Sequence, residues 1–186
     1  DEGITTVHAR IFQHLQNHSK LCQGRAIPAA PKIKGGNLTA FCNLGSFLPR
    51  GMKGHIVYRF RPETGGRPFP GADSLEIEFT PDASFGKDIL EDFLPALIGG
   101  MNPYLVTVGD QRFEDPVISS EGIIKVGGPR ASGCELYPVF FMADWLLHLK
   151  YKLSLEAAMT ALQPVVHNVS VLNNGLYVIG TAEPLD

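Results

Sequence analysis

Cysteine is scarce in this chain of 186 residues. Cys22, Cys42 and Cys134 are odd in number, far apart, and form no C-x-x-C pair. A disulfide framework or a zinc ribbon is therefore not expected, and free thiols in a reducing compartment are the simpler reading. Long apolar runs are also missing. The nearest approach is YPVFFMADWLL, which is short and broken by Asp144, too little to span a bilayer. The opening DEGITTVHARIF has no basic segment followed by an apolar one, so no signal peptide is expected and the location is read as cytoplasmic. Three sequon matches, at Asn17-His18-Ser19, Asn37-Leu38-Thr39 and Asn168-Val169-Ser170, point the other way, but the sequon is short enough to arise by chance.

Catalytic signatures are absent too. There is no G-x-S-x-G; NLGSFL offers Ser46 after a glycine, without the strand–turn–helix context that exposes a nucleophile. KGGNLT and VGGPRASG carry glycines beside a cation, but neither follows the spacing of a phosphate-binding loop. No cofactor is implied.

What is present is an ordinary globular composition, 44% hydrophobic and 19% charged with a net charge of −3, in a length that suits one domain over 1–186. The charge is unevenly spread. Residues 20–71 hold nine basic side chains against Glu63, and residues 72–115 hold ten acidic ones against Lys87 and Arg112. Whether this dipole survives in space depends on how the fold interleaves the two stretches.

Apolar periodicity gives the elements. Ile4, Val7, Ile11, Leu15, His18 and Cys22 recur every three or four residues and predict a helix over 4–22, ended by Gly24 and Pro28. LTAFCNL, HIVYRF (55–60) and SLEIEF (74–79) read as strands, the last with Leu75, Ile77 and Phe79 inward and Glu76 and Glu78 outward. Phe85, Ile89, Phe93 and Leu97 predict a helix capped by Asp82 or Ser84, kinked by Pro95 and stopped by Gly99-Gly100. YLVTVGD and EGIIKVGG follow as strands. CELYPVFF enters the sheet and runs into the helix FMADWLLHLKYK, and a further helix, LSLEAAMTALQ, is capped by Ser154. HNVSVLNNGLYVIGT is a β-hairpin with a primed turn at Asn174-Gly175. The expected fold is α+β: a mostly antiparallel sheet packed by three or four helices, with a C-terminal β-hairpin.

Four constellations are candidates for function. His14, His18 and Cys22 would line up on a helix and offer two imidazoles and a thiolate to zinc or copper, which would make a small metal-dependent enzyme. Against this, the wheel places His18 and Cys22 near the middle of the apolar stripe, with His8 on its opposite flank, and no fourth ligand is near; no metal is expected. Cys42 and His55 would need to meet in space to form a nucleophile and base. The basic segment 20–67 interleaves Phe41, Phe47, Tyr58 and Phe60 with its cations, as a single-strand nucleic-acid platform does, although the whole chain is acidic. The acidic residues Glu76, Glu78, Asp88, Glu91, Asp92, Asp110, Glu114 and Asp115 are either a solvated surface or one that steers a basic partner.

The final third, from ELYPVFF to the chain end, resembles small bacterial immunity proteins encoded beside secreted nuclease-type toxins, including type VI secretion effectors. The resemblance lies in Tyr137-Pro138-Val139-Phe140-Phe141 entering a helix, in the helix start Leu153-Ser154-Leu155-Glu156, and in the hairpin Leu172-Asn173-Asn174-Gly175-Leu176-Tyr177-Val178. It covers about 50 of the 186 residues, all core and turn positions, which specify a fold more than a function. It implies a stoichiometric inhibitor that binds a cognate toxin, such as a basic nuclease, with no catalytic residue of its own. The acidic residues are the contact set such an inhibitor would present.

Overall fold

The computed structural model describes residues 3–32, 39–59, 73–79, 83–110, 122–127 and 137–182. Among them are eight strands in one sheet: β1 (Thr39–Asn43), β2 (Met52–Arg59), β3 (Ser74–Phe79), β4 (Leu105–Asp110), β5 (Gly122–Gly127), β6 (Val139–Ala143), β7 (Asn168–Leu172) and β8 (Gly175–Ile179). Their order is β1-β2-β3-β5-β4-β6-β8-β7, and every neighbouring pair is antiparallel. The helices are α1 (Ile4–His18), α2 (Ala83–Asp88), α3 (Leu94–Met101), α4 (Asp144–Tyr151) and α5 (Leu155–Leu162). The α+β class and the C-terminal hairpin are as expected.

Alternation sorts the strand residues onto two faces. The first face carries Ala40, Cys42, Ile56, Tyr58, Leu75, Ile77, Phe79, Val106, Val108, Val139, Phe141, Tyr177 and Ile179, and it is buried under α1 and the helical stretch 83–101. The second face has its own smaller core, where Leu105, Met142, Leu176 and Val178 meet Leu146 and Leu147 of α4 and Ala158 of α5. Those two helices cover only the β4–β7 side. Ser154 caps α5 as expected, its hydroxyl accepting from the Ala157 amide at 3.2 Å.

Helix α1 is shorter than its periodicity suggested, and its buried stripe is rotated. The helix ends at His18, where the Ser19 amide donates to Leu15 O at 2.9 Å. The stripe is His8, Ile11, Phe12 and Leu15, while His18 is exposed. The reason is Phe12, which meets Phe47 edge-on at 4.8 Å between centroids and turns the helix toward the β1–β2 connection.

Helix 83–101 adds a feature at Pro95 and corrects the expected stop. Pro95 stands in the first turn of α3, directly after a π-turn over Ile89–Phe93 in which the Leu94 amide donates to Ile89 O across five residues. The carbonyl of Leu90 would then need its donor from position 95, where proline has none. The Tyr177 hydroxyl of β8 supplies it at 3.0 Å. Gly99 and Gly100 do not stop the helix. They lie within it and let α1 approach closely: a Cβ on Gly99 would stand 2.6 Å from His14 Nε2, and one on Gly100 3.2 Å from the Ile11 carbonyl. The stop is Asn102, left-handed at φ 50°. The expected cap Asp82 lies outside the described residues, and Ser84 is inside α2.

Two boundaries also move by a residue or two. Met142 and Ala143 finish β6 rather than begin α4. The hairpin turn is Asn173-Asn174, both left-handed at φ 44° and 56°, as a type I′ turn requires. Gly175 is already in β8, where a Cβ would fall 2.4 Å from the Phe141 ring. The Asn173 amide group donates to Ile98 O at 3.2 Å and to Asn102 Oδ1 at 3.0 Å, fastening the hairpin to the end of α3.

Candidate partner-binding surface

On the β1–β3 side the second sheet face is not covered by α4 or α5 and carries a different chemistry. Phe41 on β1 is 59% exposed. It stacks on the His55 imidazole of β2, with centroids 4.9 Å apart and planes at 25°. The two are diagonal neighbours, since Phe41 pairs with Val57 and Asn43 with His55. Beside them Lys53 Nζ meets Glu78 Oε2 at 2.7 Å, and the register sets His55 opposite Glu76. On its other side Glu76 is paired in register with Lys125 of β5. Asp73 accepts from the Arg59 amide at 2.7 Å and closes the end of the strand pair. The result is an aromatic ring pair set among charges of both signs on the sheet.

The acidic residues expected to form one surface are thus divided. Glu76 and Glu78 are half-buried on this face, Glu78 paired with Lys53 of the basic segment and Glu76 in register with Lys125 of β5. Pairing β2 with β3 folds the sequence dipole onto itself. Asp88 and Glu91 are exposed on the helical layer over the first face, Glu91 lying 3.8 Å from Lys87. Asp92, on the same layer, accepts from the Ser19 hydroxyl at 2.6 Å and from the amides of Lys20 and Leu21 at 3.1 and 3.4 Å. Partial burial pulls its carboxyl upward, but these hydrogen bonds and the Lys20 charge hold it below the usual carboxylate value. Asp92 therefore ties the chain leaving α1 to the π-turn. Asp110 ends β4 on the backbone, and Glu114 and Asp115 lie outside the described residues.

The other constellations come apart. His14 and His18 are adjacent, with ring centroids 4.1 Å apart, but Cys22 is buried in the turn after the helix rather than in line with them. Among the described residues no group of three or more His, Cys, Asp or Glu is placed to hold a metal ion. Burial pushes the Cys22 thiol up to about 11 and raises that of Cys42 as well, so neither is a thiolate at neutral pH. Cys42 faces the core and His55 the opposite side of the sheet, so they do not form a nucleophile and base. Ser46 sits in the turn between β1 and β2. The stacking platform fails for a similar reason: Phe47 and Tyr58 are in the core, Phe60 is outside the described residues, and Phe41 is left.

One buried polar group escaped the sequence. His8, 2% exposed, bridges the Tyr58 hydroxyl at 2.7 Å from Nδ1 and the Pro28 carbonyl at 2.8 Å from Nε2. It fastens α1 both to the sheet and to the segment that follows the helix. Its spacing from Ile4, Ile11, Phe12 and Leu15 was the available signal.

No family model, curated protein or solved structure matches the chain. No helix of the described residues is long and apolar enough to cross a membrane.

Proposed function

We propose that the chain is a non-enzymatic binding protein that occludes a partner protein, and that it acts as an immunity protein neutralising a cognate secreted toxin. The observation that carries this reading is the half of the second sheet face that, among the described residues, no helix covers. A sheet presenting the Phe41–His55 stack among Lys53, Glu76 and Glu78 offers an aromatic anchor with a charged surround, the make-up of an energetic centre in protein interfaces. The buried Cys22 and Cys42 thiols, protonated at neutral pH, speak against a cysteine nucleophile at either position. The C-terminal resemblance supplies the toxin as the partner class. In this reading Glu76 and Glu78 select a partner with basic groups, and Asp88, Glu91 and Asp110 add long-range attraction rather than contact.

The test is co-expression with the product of the adjacent open reading frame. Rescue of its toxicity by the wild-type chain, lost on Phe41→Ala combined with Glu78→Lys, supports the proposal. A folded double variant that still rescues removes this face from it, and absence of rescue by the wild type removes the toxin.

A further inference from the structure

The outer edge of β7 is the last strand of the sheet, and among the described residues no strand pairs with it. Its hydrogen-bonding direction is set by its neighbours. The Gly180 amide donates to Pro138 O at 2.8 Å, on the β6 side, so alternate residues 175, 177 and 179 turn their peptide groups toward β7. Their register partners Leu172, Ser170 and Asn168 are thereby satisfied within the hairpin. The amides and carbonyls of Val169 and Val171 point outward. Exposed edges are normally guarded by lysine, proline or a bulge, yet Asn168-Val169-Ser170-Val171-Leu172 contains no charge and no proline. Val171 is 52% exposed and Val165, just before the strand, 72%.

We propose that this edge pairs with the same edge of a second copy, joining two sheets into one across a two-fold axis at Ser170. The strand is complementary to itself in that arrangement. Antiparallel pairing about Ser170 sets Val169 opposite Val171 of the second copy and Val171 opposite its Val169. All four outward groups of each strand then find partners, in four inter-copy hydrogen bonds. The valines meet as β-branched cross-strand pairs on the second face. A two-fold axis places every group opposite its own equivalent, so a charged strand would repel itself. This strand is neutral throughout. The isologous contact is closed, which yields a dimer and not a filament. It lies at the far end of the sheet from the β1–β3 surface, so it stands or falls separately from the proposed function.

Sedimentation velocity of the full chain over a concentration series tests it. The expected wild-type result is a concentration-dependent species of twice the 20.2 kDa chain mass. Val171→Pro removes an outward donor and leaves the β7–β8 ladder intact, so the variant keeps its circular dichroism and near-ultraviolet signature. Two of the four inter-copy bonds are lost, and the dimer dissociation constant rises at least about tenfold. Val171→Lys is the second variant; it leaves every backbone donor in place and sets a cation against the partner's valine, with the same expected shift to monomer. A wild type that is monomeric at every concentration overturns the proposal. So does a dimer that persists unchanged in both variants, or a monomeric wild type whose Val171 variants lose a partner protein instead.

Discussion

The two halves of the second sheet face share one backbone and differ in what stands on it. Under α4 and α5 the outward positions are Leu105, Met142, Leu176 and Val178. Across β1–β3 the equivalent positions are Phe41, Lys53, His55, Val57, Arg59, Glu76 and Glu78. In the first half both strand faces are apolar, so a second layer of helices must cover it. In the second half the alternation is mainly apolar in and polar out, so among the described residues the outer face needs no second helical layer. The lesson is that alternation, read strand by strand, locates the available surface as well as the core.

The comparison breaks most clearly with matched substitutions on that face. Met142→Lys buries an unpaired cation under α4 and is expected to cost more than about 4 kcal/mol, leaving little folded protein, whereas Val57→Lys on the open half stays within about 1 kcal/mol. Soluble yield and urea midpoints separate the two. Next comes Leu146→Ala, which opens a cavity between α4 and the sheet at a fully buried position and lowers stability by about 2–5 kcal/mol in urea unfolding.

A smaller effect comes from the other face, where His14 packs on Gly99 and Gly100. Burial, and then repulsion from His18, lowers its pKa. The unfolded chain therefore binds a proton more readily than the folded one in the window just below the ordinary value of 6.5, and stability rises with pH through that window. His14→Gln should flatten this rise in thermal midpoints taken from pH 5 to 7. A slope unchanged by the substitution would assign it to another group. The smallest change in stability is expected for Phe41→Ala, within about 0.5 kcal/mol at its exposed position, although partner affinity falls. A large loss of stability there would mean that the open half is a covered one.

The strands and most helices were legible because alternation and 3.6-residue periodicity survive in the sequence; SLEIEF places Leu75, Ile77 and Phe79 in the core as its pattern requires. What was not legible depended on partners distant in sequence. Either of two stripes fits α1, and it is Phe12 against Phe47 that selects the one containing His8. Gly99-Gly100 reads locally as a stop but serves the close approach of His14. The acidic cluster reads as one surface until strand pairing brings Lys53 to Glu78 and a hydrogen-bond network absorbs Asp92. Local chemistry predicts elements, while register decides which charges remain free.

The bond from Tyr177 to Leu90 spans 87 residues, and that from Asn173 to Ile98 spans 75. During synthesis the helix at 83–101 therefore emerges long before the side chains that complete it. Until the hairpin follows, the Leu90 carbonyl must be served by water, and Phe93, Leu94 and Leu97 lack part of their cover. The C-terminal hairpin thus completes the cover of this helix, and a chain lacking it leaves the Leu90 carbonyl without its protein donor.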